Sequence, residues 1–248
     1  MQRYAQMLET GVQIFTPYGA TESLPVSSIG SDEILNETSK DTENGKGICV
    51  GQPVHGLDVR IIRIKDEPIT SWTEELLVPT NEIGEIIVKG PQVTAFYYNR
   101  PRSTELAKIP DANSGFFHRM GDTGYFDDQG RLWFCGRKSQ RVITDEGVLF
   151  TDQCEGVFNA HPKVFRTALV GIKRNGKTIP VLCIELEANE RGTDHDVISE
   201  ELKQSGSKFE HTREIKDFLF HKSFPVDTRH NAKIGREKLT LWAQKKLS

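Results

Sequence analysis

Within His118–Arg141, HRMGDTGYFDDQGRLWFCGRKSQR, residues able to do chemistry lie beside residues able to position them. Asp122 follows Gly121, so a carboxylate stands where backbone can approach a ligand closely. Its two oxygens can accept hydrogen bonds from a diol such as a ribose. Gly124-Tyr125-Phe126 and Arg131-Leu132-Trp133-Phe134-Cys135 flank Asp127-Asp128-Gln129-Gly130, a pattern that predicts a β-hairpin. Gly136-Arg137-Lys138 then closes the second strand with a glycine and two cations. Taken singly, each piece is more often structural, because Gly-Asp is common in turns and an arginine after a strand is usually a solvated end.

Their order is more specific: it resembles the G-D-x-G-Y-x-D-x-x-G-x-L-x-F-x-G-R signature of the acyl-adenylate-forming enzymes. That superfamily comprises acyl-CoA synthetases, luciferases and peptide-synthetase adenylation domains. Upstream, Tyr18-Gly19-Ala20-Thr21-Glu22 is similar to the superfamily's Y-G-x-T-E motif. The residue types suit that role. Gly19 lets backbone reach a nucleotide, Tyr18 offers a flat face to adenine, the Thr21 hydroxyl can donate to phosphate, and Glu22 can hold Mg2+. Alone, the pentapeptide could be a turn with nothing bound. Downstream, Pro225–Arg236 resembles the family's final signature, with Ala232 in place of its glycine and one extra residue between Arg229 and Lys233. The resemblance makes Lys233 the adenylation lysine, whose ammonium would stabilise charge crowding at the ATP α-phosphate. The bland alternative is a solvated basic loop. Arg137 joins Asp122 on the ribose and phosphate side, and Ser139 falls at the position of the superfamily's hinge residue. Gly84–Gly90 resembles the G-E-[IL]-x-[IV]-x-G strand and is read as structural.

Longer phrases, among them TPYGATESLPVS, GICVGQPV, CEGVFNAHPKVFRTALVG and FPVDTRHNAKI, are similar to the OleC family, the β-lactone synthetases of bacterial long-chain olefin biosynthesis. The resemblance implies ATP-dependent adenylation of a long-chain 2-alkyl-3-hydroxy acid, with ATP and Mg2+ as cofactors. The substrate's own 3-hydroxyl would then displace AMP and close the ring, proximity replacing a second substrate. It leaves room for association with other enzymes of the olefin pathway. Glu146 stands where a thiol-using synthetase has a tunnel glycine, and its charge would oppose an anionic CoA. The superfamily's phosphate loop has no counterpart in this sequence. The expectation is therefore a C-terminal portion that folds but does not turn over. The alternatives are a fatty-acyl-CoA or acyl-AMP ligase and, from a different class, a non-catalytic nucleotide-binding or interaction protein.

The elements that must position these residues follow from composition and pattern. The 248 residues, 36% hydrophobic and 27% charged, have ample material for a core. A net charge of -3 gives no electrostatic case for nucleic acid. No run approaches the roughly 20 apolar residues needed to span a bilayer, and MQRYAQMLETG lacks the apolar core of a secretion signal. A cytoplasmic protein is expected. Cys49, Cys135, Cys154 and Cys183 are too scattered for metal ligation and read as small buried hydrophobes. The expected fold is α+β: residues 1–137 form the end of a large AMP-binding domain with a β-barrel-like subdomain, and residues 138–248 form a small mobile domain. Residues 2–9 read as a helix end, Val12–Thr16 as a buried strand and 31–46 as an exposed loop. Strands are expected at 57–64, 83–88 and the 124–135 hairpin, then at 165–171, 180–186 and 216–220. Helices are expected at 151–159, capped by Thr151-Asp152, from Thr193-Asp194 toward Lys203, and at 236–247.

Overall fold

Runs rich in Val, Ile and aromatic residues, broken by Gly and Pro, build the first part of the chain as antiparallel strands. The computed structural model describes residues 7, 9, 11–113, 115–227 and 230–247. They form two units, one of residues through Lys40 with Gly47–Ser139, the other of Asp41–Lys46 with Gln140–Ser248.

Unit one contains β1 (Phe15–Ala20), β2 (Ser23–Gly30), β3 (Ile48–Pro53), β4 (Asp58–Ile62), β5 (Gly84–Lys89), β6 (Lys108–Pro110), β7 (Phe116–Phe126) and β8 (Leu132–Arg137). Short helices α1 (Ser31–Glu33), α2 (Ser39–Glu43, of which Asp41–Glu43 belong to unit two) and α3 (Pro101–Ala107) connect them, with a π-helical turn at Ile34–Thr38. The sheet order is β1-β2-β3-β8-β7-β5-β4, with β6 added beside β7. Ile86 and Val88 of β5 pack with Val26, Ile61, Met120 and Leu132, whereas Ile87 packs with Ile62, Ile109 and Phe117. That split is the two-residue period of a strand buried on both faces.

Three expectations differ from the structure. The sheet is open, not a barrel: among the described residues β1 pairs only with β2, and β4 pairs with β5 and makes one bridge to Leu77. Closure would require each edge to find a second partner. The expected loop at 31–46 is largely helical, because a tertiary partner holds it. Arg131, anchored in the β7–β8 hairpin by Asp127 at 2.7 Å, reaches Glu37 at 2.6 Å and Glu33 at 3.5 Å. The first strand also differs, starting at Phe15 instead of Val12 and running through Ala20 with Phe15 exposed. The helix end read at 2–9 lies almost wholly outside the described residues.

The β7–β8 hairpin lies where its sequence predicts it. Asp127 Oδ1 accepts from the backbone of Gln129 and Arg131, and Oδ2 accepts from Arg131 Nε and Trp133 Nε1. Gly130 takes the positive φ of +73° that lets the turn close.

Unit two carries a small hairpin of β9 (Val142–Thr144) and β10 (Gly147–Leu149), then α4 (Thr151–Asn159). Its central sheet joins β11 (Val164–Arg174), β12 (Lys177–Leu186) and β13 (Asp217–Phe220). β11 and β12 are antiparallel across the turn Asn175-Gly176, both at positive φ as a tight right-twisted hairpin requires. β12 and β13 are parallel, so a crossover is needed, and α5 (His195–Gly206) supplies it. Leu169, Leu182 and Ile184 pack with α4 and α5, while Ala168, Val170, Val181 and Cys183 pack with α6 (Arg236–Leu247) through Leu239 and Ala243. β14 (Val226–Asp227) and β15 (His230–Ile234) form a short hairpin just before α6. Asp194 caps α5 as expected, accepting from Asp196 N. Thr151 does not cap α4, since its hydroxyl donates to the Asp152 carboxylate and the cap position falls on Phe150. All four cysteines are buried free thiols.

Candidate active site

Asp122 occupies the middle of β7, directly across from Arg137 on β8. The register slips between Thr123 and Gly124, and Gly121 just before Asp122 has φ +69°. Such irregularities redirect side chains from the simple alternation of a strand. The buried Asp122 carboxylate accepts the Tyr18 hydroxyl at 2.6 Å on Oδ2 and pairs with Arg137 Nη1 at 3.0 Å on Oδ1. Burial and the neighbouring Asp122 charge push the Tyr18 hydroxyl well above the usual phenol range, so it stays a donor. The Arg137 side chain is half exposed, whereas that of Asp122 is 4% exposed.

Thr21 and Glu22 form the two-residue turn of the β1–β2 hairpin, for Ala20 pairs with Ser23. Thr21 is exposed and Glu22 half-buried. Gly19 has a local reason to be glycine, because a Cβ there would lie 2.5 Å from the Ser23 carbonyl oxygen. The Glu22 carboxylate accepts the Tyr97 hydroxyl at 2.7 Å on Oε1, and its carbonyl accepts Thr94 N at 2.9 Å. Burial alone would raise its pKa; the Tyr97 hydrogen bond, its own backbone, His118 and Lys108 together hold it below the usual value. Behind it stand the buried Lys108, which donates to the Thr94 carbonyl and is lowered to about 8 by burial, and His118, lowered to about 4 chiefly by burial.

Arg119 holds the two halves of this region together beneath the surface. Its guanidinium meets the Glu85 carboxylate at 2.6 Å and 3.1 Å, with further donations to the carbonyls of Lys65, Glu67 and Leu106. Lys138 adds a second cation at 3.0 Å from Glu85. The strand motif at 84–90 is thus a structural ion-pair anchor.

Ser139 is the last residue of unit one and is exposed in the helical turn Lys138–Gln140. Lys233 lies on β15 of unit two with its side chain exposed. Glu146 sits at the exposed tip of the β9–β10 hairpin, whose turn ends in Gly147 at φ +146°. Among the described residues no three His, Cys, Asp or Glu side chains group as a metal cluster.

No family model matches the chain. It is 48% identical over 241 residues, 96% of its length, to the olefin β-lactone synthetase of Xanthomonas campestris pv. campestris. A second protein of that name, from Stenotrophomonas maltophilia, is 48% identical over 97% of the chain. The chain belongs to the olefin β-lactone synthetase family. It spans 43% and 44% of the length of those two relatives.

Solved structures agree on the fold. ATP-bound MatB from Rhodopseudomonas palustris superposes with TM-score 0.72 at 20% identity, covering 97% of this chain and 42% of its own. The o-succinylbenzoate CoA synthetase of Bacillus subtilis, in complex with its acyl-adenylate intermediate, gives 0.69 at 21% identity, covering 93% and 41%. The sequence points to Asp122, Tyr18 and Glu22 as candidates; the structure brings Tyr97, Lys108 and His118, which the sequence does not point to, beside Glu22. A signal was present, since Lys108 between Ala107 and Ile109 and His118 after Phe116-Phe117 are polar residues among apolar neighbours. Tyr97 has no such mark between two exposed aromatics, Phe96 and Tyr98.

Proposed function

We propose that this chain is part of an ATP-dependent enzyme that adenylates a long-chain 2-alkyl-3-hydroxy acid and lets the 3-hydroxyl close a β-lactone. The observation that carries the reading is the Tyr18–Asp122–Arg137 cluster, a buried carboxylate facing one half-exposed cation. A ribose diol would take the Asp122 oxygens as Arg137 swings from the carboxylate toward phosphate. Unit one would then supply the end of the nucleotide-binding domain, and unit two a mobile domain that pivots at Ser139 and brings Lys233 to the α-phosphate. Lys233 would offset the charge that builds as the carboxylate attacks phosphorus.

Glu22 fits a role in holding Mg2+: its pKa is held down and one oxygen, Oε1, is fixed by Tyr97. One protein carboxylate is enough for a cation that completes its shell with phosphate oxygens and water. When bound, the ion would neutralise phosphate charge. Thr21, exposed beside it, is the hydroxyl that donates to phosphate. The Glu146 carboxylate, on its exposed hairpin tip, favours an internal hydroxyl over an anionic thiol carrier as the second nucleophile. Among the described residues no helix is long and apolar enough to cross a membrane, and we place the enzyme in the cytoplasm with other enzymes of the olefin pathway as its partners.

Nucleotide affinity provides the test. Asp122→Ala should weaken ATP binding, measured by calorimetry, by about 1.5–3 kcal/mol, the worth of hydrogen bonds to a charged acceptor. Unchanged affinity with the fold intact would sink the ribose assignment. Formation of a thioester in place of a lactone from an adenylated 3-hydroxy acid would replace ring closure by the acyl-CoA ligase alternative.

A further inference from the structure

Arg236, the first residue of α6, follows Lys233 by three positions and points into unit two with its side chain only 11% exposed. Its guanidinium meets both oxygens of Glu155 on α4, at 2.5 Å and 2.8 Å, and Nη1 also reaches the Leu169 carbonyl of β11 at 3.4 Å. Glu155 Oε1 also accepts from Leu169 N at 2.7 Å. The remaining donor, Nε, goes to Gln140 Oε1 at 2.9 Å, and Gln140 is the residue at which unit two resumes after Ser139. Between Lys233 and Arg236 the chain is held once more, by Gly235 N on the Pro225 carbonyl at 2.7 Å.

A buried ion pair contributes little net stability compared with well-packed apolar residues, so this arrangement asks for a geometric reason. The planar fork of arginine supplies one, since it fixes direction as well as distance. We propose that Arg236 is a positioning residue that fastens the Lys233-bearing strand to the start of unit two. A turn at Ser139 then carries Lys233 as a fixed attachment. The proposal rests on the assignment of Lys233 to adenylation and adds what holds that lysine in place.

Hydrogen exchange followed by mass spectrometry on the 248-residue chain tests the tether directly. Arg236→Met should speed exchange of the amides around Lys233 about tenfold more than that of β11 and β12, whose protection falls only with the global stability lost with the buried pair. Gln140→Ala, which leaves the ion pair whole and does not threaten folding, should give a smaller increase at the same strand. Arg236→Lys keeps the charge without the fork and should not restore protection. Equal exchange in wild type and both Arg236 variants would overturn the tether.

The function is read in half-reactions of the active enzyme. Arg236→Met should slow pyrophosphate release and spare conversion of a supplied acyl-adenylate, as Lys233→Ala should. Wild-type adenylation in Arg236→Met, despite a loosened strand, would overturn the positioning role. Equal loss of both half-reactions in Lys233→Ala would instead remove the lysine assignment on which that role depends, even with exchange still following Arg236.

Discussion

A buried carboxylate at the centre of a sheet needs partners for its oxygens, and Asp122 shows how they are supplied. A buried tyrosine hydroxyl is a permanent donor on one oxygen, and a half-exposed arginine is an exchangeable partner on the other. The Glu22 corner uses the same device with Tyr97. His118 differs, because burial keeps it neutral beside Lys108 and Glu22. Its folded pKa of about 4 lies below the unfolded value near 6.5, so the stabilisation is fully present above pH 6.5 and is lost as pH falls through 4. The loss amounts to about 3 kcal/mol. Urea unfolding at pH 7 and pH 4 should show a drop smaller by that amount in His118→Leu than in wild type. Identical drops in the two proteins would place the acid sensitivity elsewhere.

At the scale of elements, β5 and β7 are joined by more than their ladder. Glu85 and Arg119 have side chains 1% and 2% exposed, and three carbonyls from neighbouring connections converge on the same guanidinium. Removing one member of a buried pair leaves the other charge poorly compensated. Arg119→Met should therefore cost about 3–5 kcal/mol, read as a fall in the urea midpoint. A retained midpoint would mean that Lys138, at 3.0 Å from Glu85, suffices as the partner. The hairpin beside it is tied by Asp127, and through Arg131 the same lock holds the helical segment that begins at Ser31.

The whole molecule has two units, and the chain passes between them three times, at both ends of Asp41–Lys46 and after Ser139. Asp41–Lys46 belongs with the second unit, where the Thr42 carbonyl oxygen would lie 2.4 Å from a Cβ at position 156, which explains Gly156 in the middle of α4. The third crossing is at Ser139, exposed and in a single helical turn. If it is the pivot, Ser139→Pro would fix φ and remove a donor there. One half-reaction should then slow more than the other, measured as pyrophosphate release against turnover of a supplied acyl-adenylate. Equal rates would move the pivot to another residue.

Several strands of both units were legible in the sequence because β-branched and aromatic runs bounded by Gly, Pro and Asn report burial locally, while β2, β3, β6, β9, β10, β14 and β15 were not. β4, β5, β8, β11, β12 and β13 fall close to their predicted places for that reason, whereas β7 begins at Phe116, well before the expected hairpin strand. The family was legible too, since its motifs are contiguous phrases. The helical segment after Ser31 was illegible, because its partner Arg131 is distant in sequence and no local propensity anticipates an ion pair. Barrel closure was equally undecidable, for strand periodicity says which residues face a core but not whether the edges meet. The donors to the two acids divide in the same way. Tyr18 could be read as near a nucleotide, but that its hydroxyl belongs to Asp122 depends on strands that are neighbours only in the fold. Tyr97 carries no sequence mark, and Arg236 shows only a cation; that one binds Glu22 and the other Glu155 was decided by tertiary structure, because burial selects which polar side chains must satisfy one another.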